Sequence, residues 1–406
     1  MVTENDYGSP IYYIDGQELD AFLNSERLEQ VGYGYEWENE NVTHLHFHPI
    51  NHAFGKSNIV SFAKTGGTHC TEASIKVNIT DDGDAYIDSV KVNIIPSREN
   101  LYKRNKGLLE VDILSEKTVL IIGLGSGGSP IAVELAKAGV GLFSLADFDR
   151  VELHNLSRHI STINDLGRLK TETVSDAIVG KNPYAVIRKL PIDINKNLEI
   201  LESEIVKSDI VLCCTDNNQS RFNVSELLVK HKKVGIFGRA ITRAEGGDVF
   251  IYRPGGPCYF CLIGSNWYDP TVENTVAYAD TEAFVQVGLS ADIEPISNMM
   301  VKLALMELSR GTNSGITSLE DEFNANYYVW ANRRENHYSN WGSFHNTEGM
   351  PTIMRWYGMN ISHDENCSVC GNKLHLQDIN SMESLEAMGS SDFSGLNLKD
   401  IPNLES

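Results

Sequence analysis

The stretch TVLIIGLGSGGSPIAVELAKA, residues 118–138, decides the fold. Thr118–Ile122 is a β-branched, apolar run of strand length, and from Ser129 to Ala138 the apolar residues recur at helical spacing. Gly123-Leu-Gly125-Ser-Gly127-Gly128 joins the two directly. Glycines there let the backbone approach a phosphate, and the first N–H groups of the helix face it without intrahelical partners. Leu142–Ala146 reads as strand again, so Lys117–Asp147 forms one βαβ unit.

Further units follow downstream. Thr171–Val179 and Asn223–Lys230 have helical patterning, and Val186–Leu190, Asp209–Cys214 and Val234–Phe237 are strand-like. Strands separated by helices imply an α/β fold, Rossmann-like, with a mostly parallel sheet and a ligand at the carboxyl ends of its strands. Gly246–Tyr252 reads as an antiparallel return, Gly264–Val287 has no clear period and is expected to cross the surface, and helix Pro295–Ser309 and strand Tyr327–Ala331 rebuild the sheet edge. Upstream, Arg98–Leu114 has helical spacing. Residues 1–97 alternate strand-like runs with turns (Ile11–Ile14, Thr43–His48, Ser74–Ile79, Ala85–Ile95), as a small β-rich (α+β) module would. The expected division is a 1–97 accessory module, a 98–373 nucleotide domain and a flexible acidic tail over 374–406.

The 406 residues carry Lys+Arg 34 against Asp+Glu 55, a formal charge of -21. So negative a surface repels a phosphate backbone and argues against nucleic acid as a partner. No apolar run approaches the ~20 residues of a bilayer span, and Met1–Pro10 lacks a signal-peptide core, so a soluble, cytoplasmic protein is expected, with no membrane partner.

The glycine loop alone does not choose between NAD and ATP. Asp147, at the end of the second strand, can accept from ribose hydroxyls in either case. The residues that follow favour a triphosphate: Asp147-Phe-Asp149-Arg-Val-Glu-Leu-His-Asn155-Leu-Ser-Arg158, then Gly167-Arg-Leu-Lys170, then Cys214-Thr-Asp216-Asn217. They set two cations and an acidic metal ligand at strand ends around one crevice.

This run resembles the ThiF/MoeB and ubiquitin-activating enzyme family, whose pattern is GxGxxG, D-x-D-x-V-x-x-x-N-L-x-R, G-x-x-K and C-T-D-N; the resemblance covers about Tyr102 to Cys370. It implies an adenylation domain in which Gly123, Gly125, Gly127 and Gly128 cradle ATP. Asp147 would hold the ribose, Asn155, Arg158 and Lys170 would bind the phosphates, and Asp216 would hold Mg2+, with Asp149 and Asn217 also in the cofactor-binding set. Tyr102-Lys-Arg104 matches the family's Tyr-x-Arg, which implies that Arg104 reaches the ATP site of a second subunit in a homodimer. The catalytic set implied is Arg104, Arg158, Lys170 and Asp216. Its reaction would be ATP-dependent activation of the C-terminal carboxylate of a ubiquitin-like protein with a Gly-Gly-type tail, feeding a conjugating enzyme or a sulfur donor. A short peptide or other carboxylate, a non-catalytic scaffold half and, last, an NAD dehydrogenase are the competing readings.

Of the seven cysteines, four form two Cys-x-x-Cys pairs, Cys258/Cys261 and Cys367/Cys370. Four thiolates make the closed tetrahedral site of a structural Zn2+, and the resemblance supports zinc too. Many family members carry a cysteine in the crossover that accepts the acyl group, but Gly264–Val287 has none. Cys213 and Cys214 read as core, Cys70 as a buried thiol beside His69, and Thr275, Thr281 and Ser290 as hydroxyls near the crossover with no base committed to them. His44, His46 and His48 alternate on one strand face and faintly resemble the His-x-His-Pro of JAB-type metalloproteases. A face open to solvent or a partner is the plainer reading.

Overall fold

Parallel strands need apolar side chains on both faces, because helices cover both. Thr118–Ile122 (β9) shows this in the computed structural model, which describes residues 10–36, 42–49, 56–95, 101–240, 244, 246–264, 288–332 and 353–371. Val119 and Ile121 pack into one core layer with Leu135, Phe143 and Met300. Leu120 and Ile122 pack into the other, with Leu201, Ile205, Val211 and Leu228.

Eight strands form the sheet, in the order β11-β10-β9-β12-β13-β14-β15-β16. They are Leu142–Ala146 (β10), Val186–Leu190 (β11), Ile210–Cys213 (β12), Val234–Ala240 (β13), Gly246–Tyr252 (β14), Tyr327–Ala331 (β15) and Arg355–Met359 (β16). β11 through β13 in that order are mutually parallel, and β14, β15 and β16 add on antiparallel. The chain winds from β9 outward to β11 and then returns to the other side of β9 at β12. That reversal opens a crevice at the carboxyl ends of the strands.

An eight-stranded mixed sheet precedes it, β7-β6-β5-β4-β2-β3-β1-β8, between Ile11 and Ile95. Its strands are Ile11–Asp15 (β1), Glu29–Glu36 (β2), Val42–His46 (β3), Lys56–Lys64 (β4), Ile75–Ile79 (β5), Ala85–Ile87 (β6), Val90–Lys91 (β7) and Asn93–Ile95 (β8). Helix α1 (Gly16–Leu23) buries Leu19 and Phe22 in a core with Phe47, Phe62 and Val60. α1 is absent from the sequence reading because it follows β1 with no intervening turn: the Asp15 carboxylate accepts from the N–H groups of Gln17 and Glu18 and caps the helix at the strand's last residue. Leu45 and Phe47 face the core, as the alternation of histidines predicts, but His44 is buried instead of exposed because the ring of Tyr13 stacks on it, centroids 5.5 Å apart.

Three other elements differ from expectation. Among the described residues of the Arg98–Leu114 segment the helix is interrupted: Leu101 is helical, turns run from Tyr102 to Leu108, where Gly107 takes a positive φ of 85°, and helix resumes at Val111–Leu114 (α2). The helix after β12, Asn218–His231, begins earlier than its apolar pattern suggests, because the Asn217 side chain caps it by accepting from the Ser220 N–H at 2.8 Å. The long helix Ser290–Leu308 starts before Pro295, which it carries in its second turn. Gly128–Ala138 (α3), Lys170–Val179 (α4) and the antiparallel return lie where expected. Leu198–Lys207 (α5), not assigned from sequence, covers the same face as Asn218–His231 (α6). A short turn of helix, Tyr259–Ile263 (α7), precedes Ser290–Leu308 (α8). Most of the Gly264–Val287 crossover, with Thr275 and Thr281, and the 374–406 tail lie outside the described residues. Among the described helices, none is long and apolar enough to cross a membrane.

Candidate functional site

The glycine loop closes on itself before it meets any ligand. Gly123 has φ 85°, and a β-carbon there would press on the backbone of Cys214 and Thr215 at 3.0–3.1 Å. At Gly128 a β-carbon would collide with the carbonyl oxygen of Gly123. Gly125 faces open space, with nothing within 4 Å of that position, and Gly127 has only the Ser297 hydroxyl at 3.8 Å. The outer glycines therefore serve the chain's own packing, and the inner two leave room above the loop.

That room belongs to a cavity of about 790 Å3. It receives the end of every parallel strand: the loop after β9, Asp147 and Asp149 after β10, Asp193 and Asn195 after β11, Asp216 and Asn217 after β12, and Arg239 within β13. Gly123, Gly125, Gly127, Asn155, Arg158 and Lys170 also line it, so the expected nucleotide residues converge. Gly128 sits at the start of α3, buried beneath the loop. Arg104 is exposed and does not line the cavity.

Lys170, the first residue of α4, is 8% exposed, and its Nζ donates to Asp149 Oδ2 at 2.7 Å. The Asp147 carboxylate accepts from the N–H groups of Leu124 at 2.6 Å and Asp149 at 2.8 Å. Burial, offset in part by Lys170 and these bonds, pushes its carboxyl above the ordinary value. Asn155 accepts from the Glu152 N–H at 2.9 Å, which fixes the 3-10 turn Leu153–Ser157 that carries Arg158. Asn217 is committed to capping α6, so among the two it is Asp216 whose exposed carboxylate stands ready for a cation.

His159, Arg221 and Arg239 were missed in the sequence. Arg221 is buried, donating to the Thr215 carbonyl at 2.7 Å and to Asn218 Oδ1 at 3.0 Å, which braces the loop bearing Asp216. Arg239 is locked by Asp248, both carboxylate oxygens within 2.9 Å of its Nε, and Tyr327 donates to the same carboxylate. Attention to every strand end, and not to the motif strands alone, would have found Arg239.

The four Cys-x-x-Cys sulfurs meet beneath the other core layer. Their Sγ atoms all lie within 4.8 Å of one another, with Cys258 to Cys367 at 3.5 Å, Cys261 to Cys370 at 3.3 Å and Cys258 to Cys261 at 4.0 Å. A tetrahedron with Zn–S of about 2.3 Å has edges of roughly 3.8 Å, so the set fits such an ion. His44, His46 and His48 join no comparable group of metal-ligating side chains among the described residues. Cys213 is core, whereas Cys214 reaches the cavity, its thiol pushed up by burial. Cys70 is half-buried, not buried, and His69 is engaged with Ser61 at 3.3 Å and Asn78 at 2.9 Å rather than with the thiol.

Known proteins are similar to this chain. The model of the ThiF family matches residues 100–341. The molybdopterin-synthase adenylyltransferase of Escherichia coli is 38% identical over 152 residues, 37% of this chain and 60% of that protein. The adenylyltransferase and sulfurtransferase MOCS3 of Caenorhabditis briggsae is 32% identical over 155 residues, 37% of this chain and 38% of that protein. The chain thus spans less than two thirds of the length of these relatives. In fold it is similar to E. coli MccB, solved with AMPCPP and MccA, with a TM-score of 0.50 at 19% identity over 68% of this chain and 75% of that one.

Proposed function

The chain belongs to the ThiF family, and from that premise we propose that it adenylates the C-terminal carboxylate of a ubiquitin-like protein. The observation that carries the reading is the convergence of the glycine loop, Lys170, Arg158 and Asp216 on one cavity at the topological switch point. The names of the relatives, adenylyltransferases, support the same chemistry.

In the proposed reaction a carboxylate oxygen bonds to the α-phosphorus of ATP, and the bond to the β-phosphate oxygen breaks. Pyrophosphate leaves with the electron pair, and the product is a mixed anhydride with AMP. Little proton transfer is needed, so no general base has to be present. What the step needs is compensation for charge gathering on the α-phosphate and the departing pyrophosphate. Lys170 and Arg158 line the cavity and supply cations; the loop N–H groups at the start of α3 supply aligned dipoles. Asp216 offers the oxygen ligand for Mg2+, which contributes charge neutralisation on the phosphates when bound. Lys170 is held by Asp149 until a phosphate competes for it.

Four sulfurs on the opposite layer fit a structural Zn2+ that plays no part in the chemistry. Arg104, outside its own cavity, suits a role across a homodimer interface. Residues 1–97, as a separate module, would recruit a conjugating enzyme or a substrate, and the setting would be cytoplasmic.

ATP–pyrophosphate exchange with candidate ubiquitin-like proteins tests the reading. Exchange that requires a free C-terminal tail and disappears in both Lys170→Ala and Asp216→Ala is expected. Exchange with short peptides alone would move the substrate class to peptides, and ATP binding without exchange on any carboxylate would leave the chain a scaffold.

A further inference from the structure

We propose that His159 is the positioning residue that aims the phosphate loop at the nucleotide, a role that deepens the adenylation reading and rests on it. The geometry is specific. His159 Nε2 lies 2.6 Å from the carbonyl oxygen of Leu124, the second residue of the loop. A carbonyl only accepts, so Nε2 carries the proton. Nδ1 lies 3.0 Å from the N–H of Ser161, which only donates, and 2.5 Å from its hydroxyl. Both partners therefore select one species, the neutral Nε2–H tautomer.

A peptide unit is planar and trans, so its N–H points opposite to its C=O. The Leu124 carbonyl shares its unit with the N–H of Gly125. Holding that carbonyl against His159 turns the Gly125 N–H the other way, and Gly125 lines the cavity with open space beside it. The preceding unit is set from the other side, where Asp147 Oδ2 takes the Leu124 N–H. His159 and Asp147 thus grip successive peptide units of one loop. Released from His159, the Leu124 carbonyl is able to flip toward the cavity, where its partial negative charge would repel phosphate.

Protonation would place a second N–H on Nδ1, facing the Ser161 N–H donor to donor. The charged groups around the ring are Lys170 of α4, which opposes protonation, and Asp165 of the 3-10 turn Ile163–Asp165, which favours it. Asp147 lies beyond the loop and Arg158 precedes His159 in the chain. Burial and Lys170 prevail, which keeps the ring neutral below the ordinary histidine range.

The test titrates the full chain with a fluorescent ATP analogue and measures exchange kinetics for His159→Ala and His159→Gln. Glutamine carries one donor and one acceptor and can satisfy both Leu124 and Ser161. His159→Ala is expected to weaken nucleotide binding and raise KM for ATP about tenfold, the worth of one buried hydrogen bond, with KM for the acyl substrate unchanged. His159→Gln is expected to stay within about threefold of the natural chain. Nucleotide affinity should fall on acidification in both chains as Asp147 protonates, and more steeply in the natural chain than in His159→Gln. Alanine binding like the natural chain, glutamine binding no better than alanine, or matching pH profiles would each overturn the proposal. If the alanine variant does not fold, the glutamine variant and its pH profile decide alone. The binding arm needs no acyl substrate, so a natural chain that binds nucleotide but never exchanges defeats the adenylation reading while His159 is still judged by its own titration.

Discussion

Lys170 shows how a site residue and a stability residue can be told apart. Its Nζ pairs with Asp149, a side chain 48% exposed, so the pair itself contributes less than about 1 kcal/mol after solvent screening. Lys170→Ala is therefore expected to lower exchange activity on the order of 10²-fold while its urea midpoint barely moves. A large loss of stability would mean that the lysine is structural. His44 makes the opposite case. Buried under Tyr13 and near His46, it has its pKa driven down to about 3, chiefly by burial. The unfolded chain takes up a proton near pH 6.5 and the folded chain does not, so stability rises with pH between about 3 and 6.5. Thermal midpoints should drop as pH falls through that window, and imidazole NMR at pH 5 should find the His44 ring neutral; a ring charged at pH 5 would refute the assignment. Residues embedded in the motif, such as Asp147 and Lys170, were legible in the sequence because their spacing is tied to strand ends. His159 and Arg221 were not. Their partners are backbone carbonyls, of Leu124 and Thr215, and no sequence pattern records where a carbonyl points.

Within single elements, the phosphate loop and the sheet edge respond differently to change. A β-carbon at Gly128 meets the Gly123 carbonyl, a fixed backbone atom that cannot swing away. Gly128→Ala should open the loop, costing roughly 1–3 kcal/mol of overpacking and weakening ATP binding together with it. Calorimetry and nucleotide titration on one sample would check both, and unaltered affinity would show that the loop opens without moving its N–H groups. Across β13, β14 and β15, Asp248 holds Arg239 and accepts from Tyr327 in a site where both charged side chains are under 10% exposed. Asp248→Ala removes the carboxylate that pairs with this buried guanidinium, and a loss of about 3–5 kcal/mol in chemical denaturation is expected. The elements themselves were readable where apolar residues ran together: β9 reads Val-Leu-Ile-Ile after Thr118, and β14 ends in Val-Phe-Ile-Tyr. Helix starts were the weak point, since Asn217 and Asp15 set them through side-chain caps that leave no trace in apolar spacing.

For the whole molecule the decisive feature is a span of 109 residues between the two halves of the cysteine cluster. A cross-link closing so long a loop restricts the unfolded chain by roughly 4–5 kcal/mol in the chain-entropy account, before any metal–ligand enthalpy. An ion held there would clamp Tyr259–Ile263, packed against α6, to the segment that follows the edge strand β16, and so would tie the middle of the nucleotide sheet to its rim. The cluster's sulfurs share a core layer with Leu120 and Ile122, the residues directly ahead of the glycine loop. Loss of the ion should therefore loosen the sheet under the cavity without removing any group from it. Purified chain is expected to hold about one Zn2+, and stripping it with a strong chelator should lower the thermal midpoint by many degrees, expose four titratable thiols and reduce ATP binding as a consequence of unfolding. Cys258→Ser should lower the midpoint and ATP binding in the same way and expose the three remaining cluster thiols, and added Zn2+ should restore the stripped natural chain but not the variant. A metal-free chain with the same midpoint and the same nucleotide affinity would show that the four sulfurs hold the layers together as buried thiols, and the clamp would have to be withdrawn.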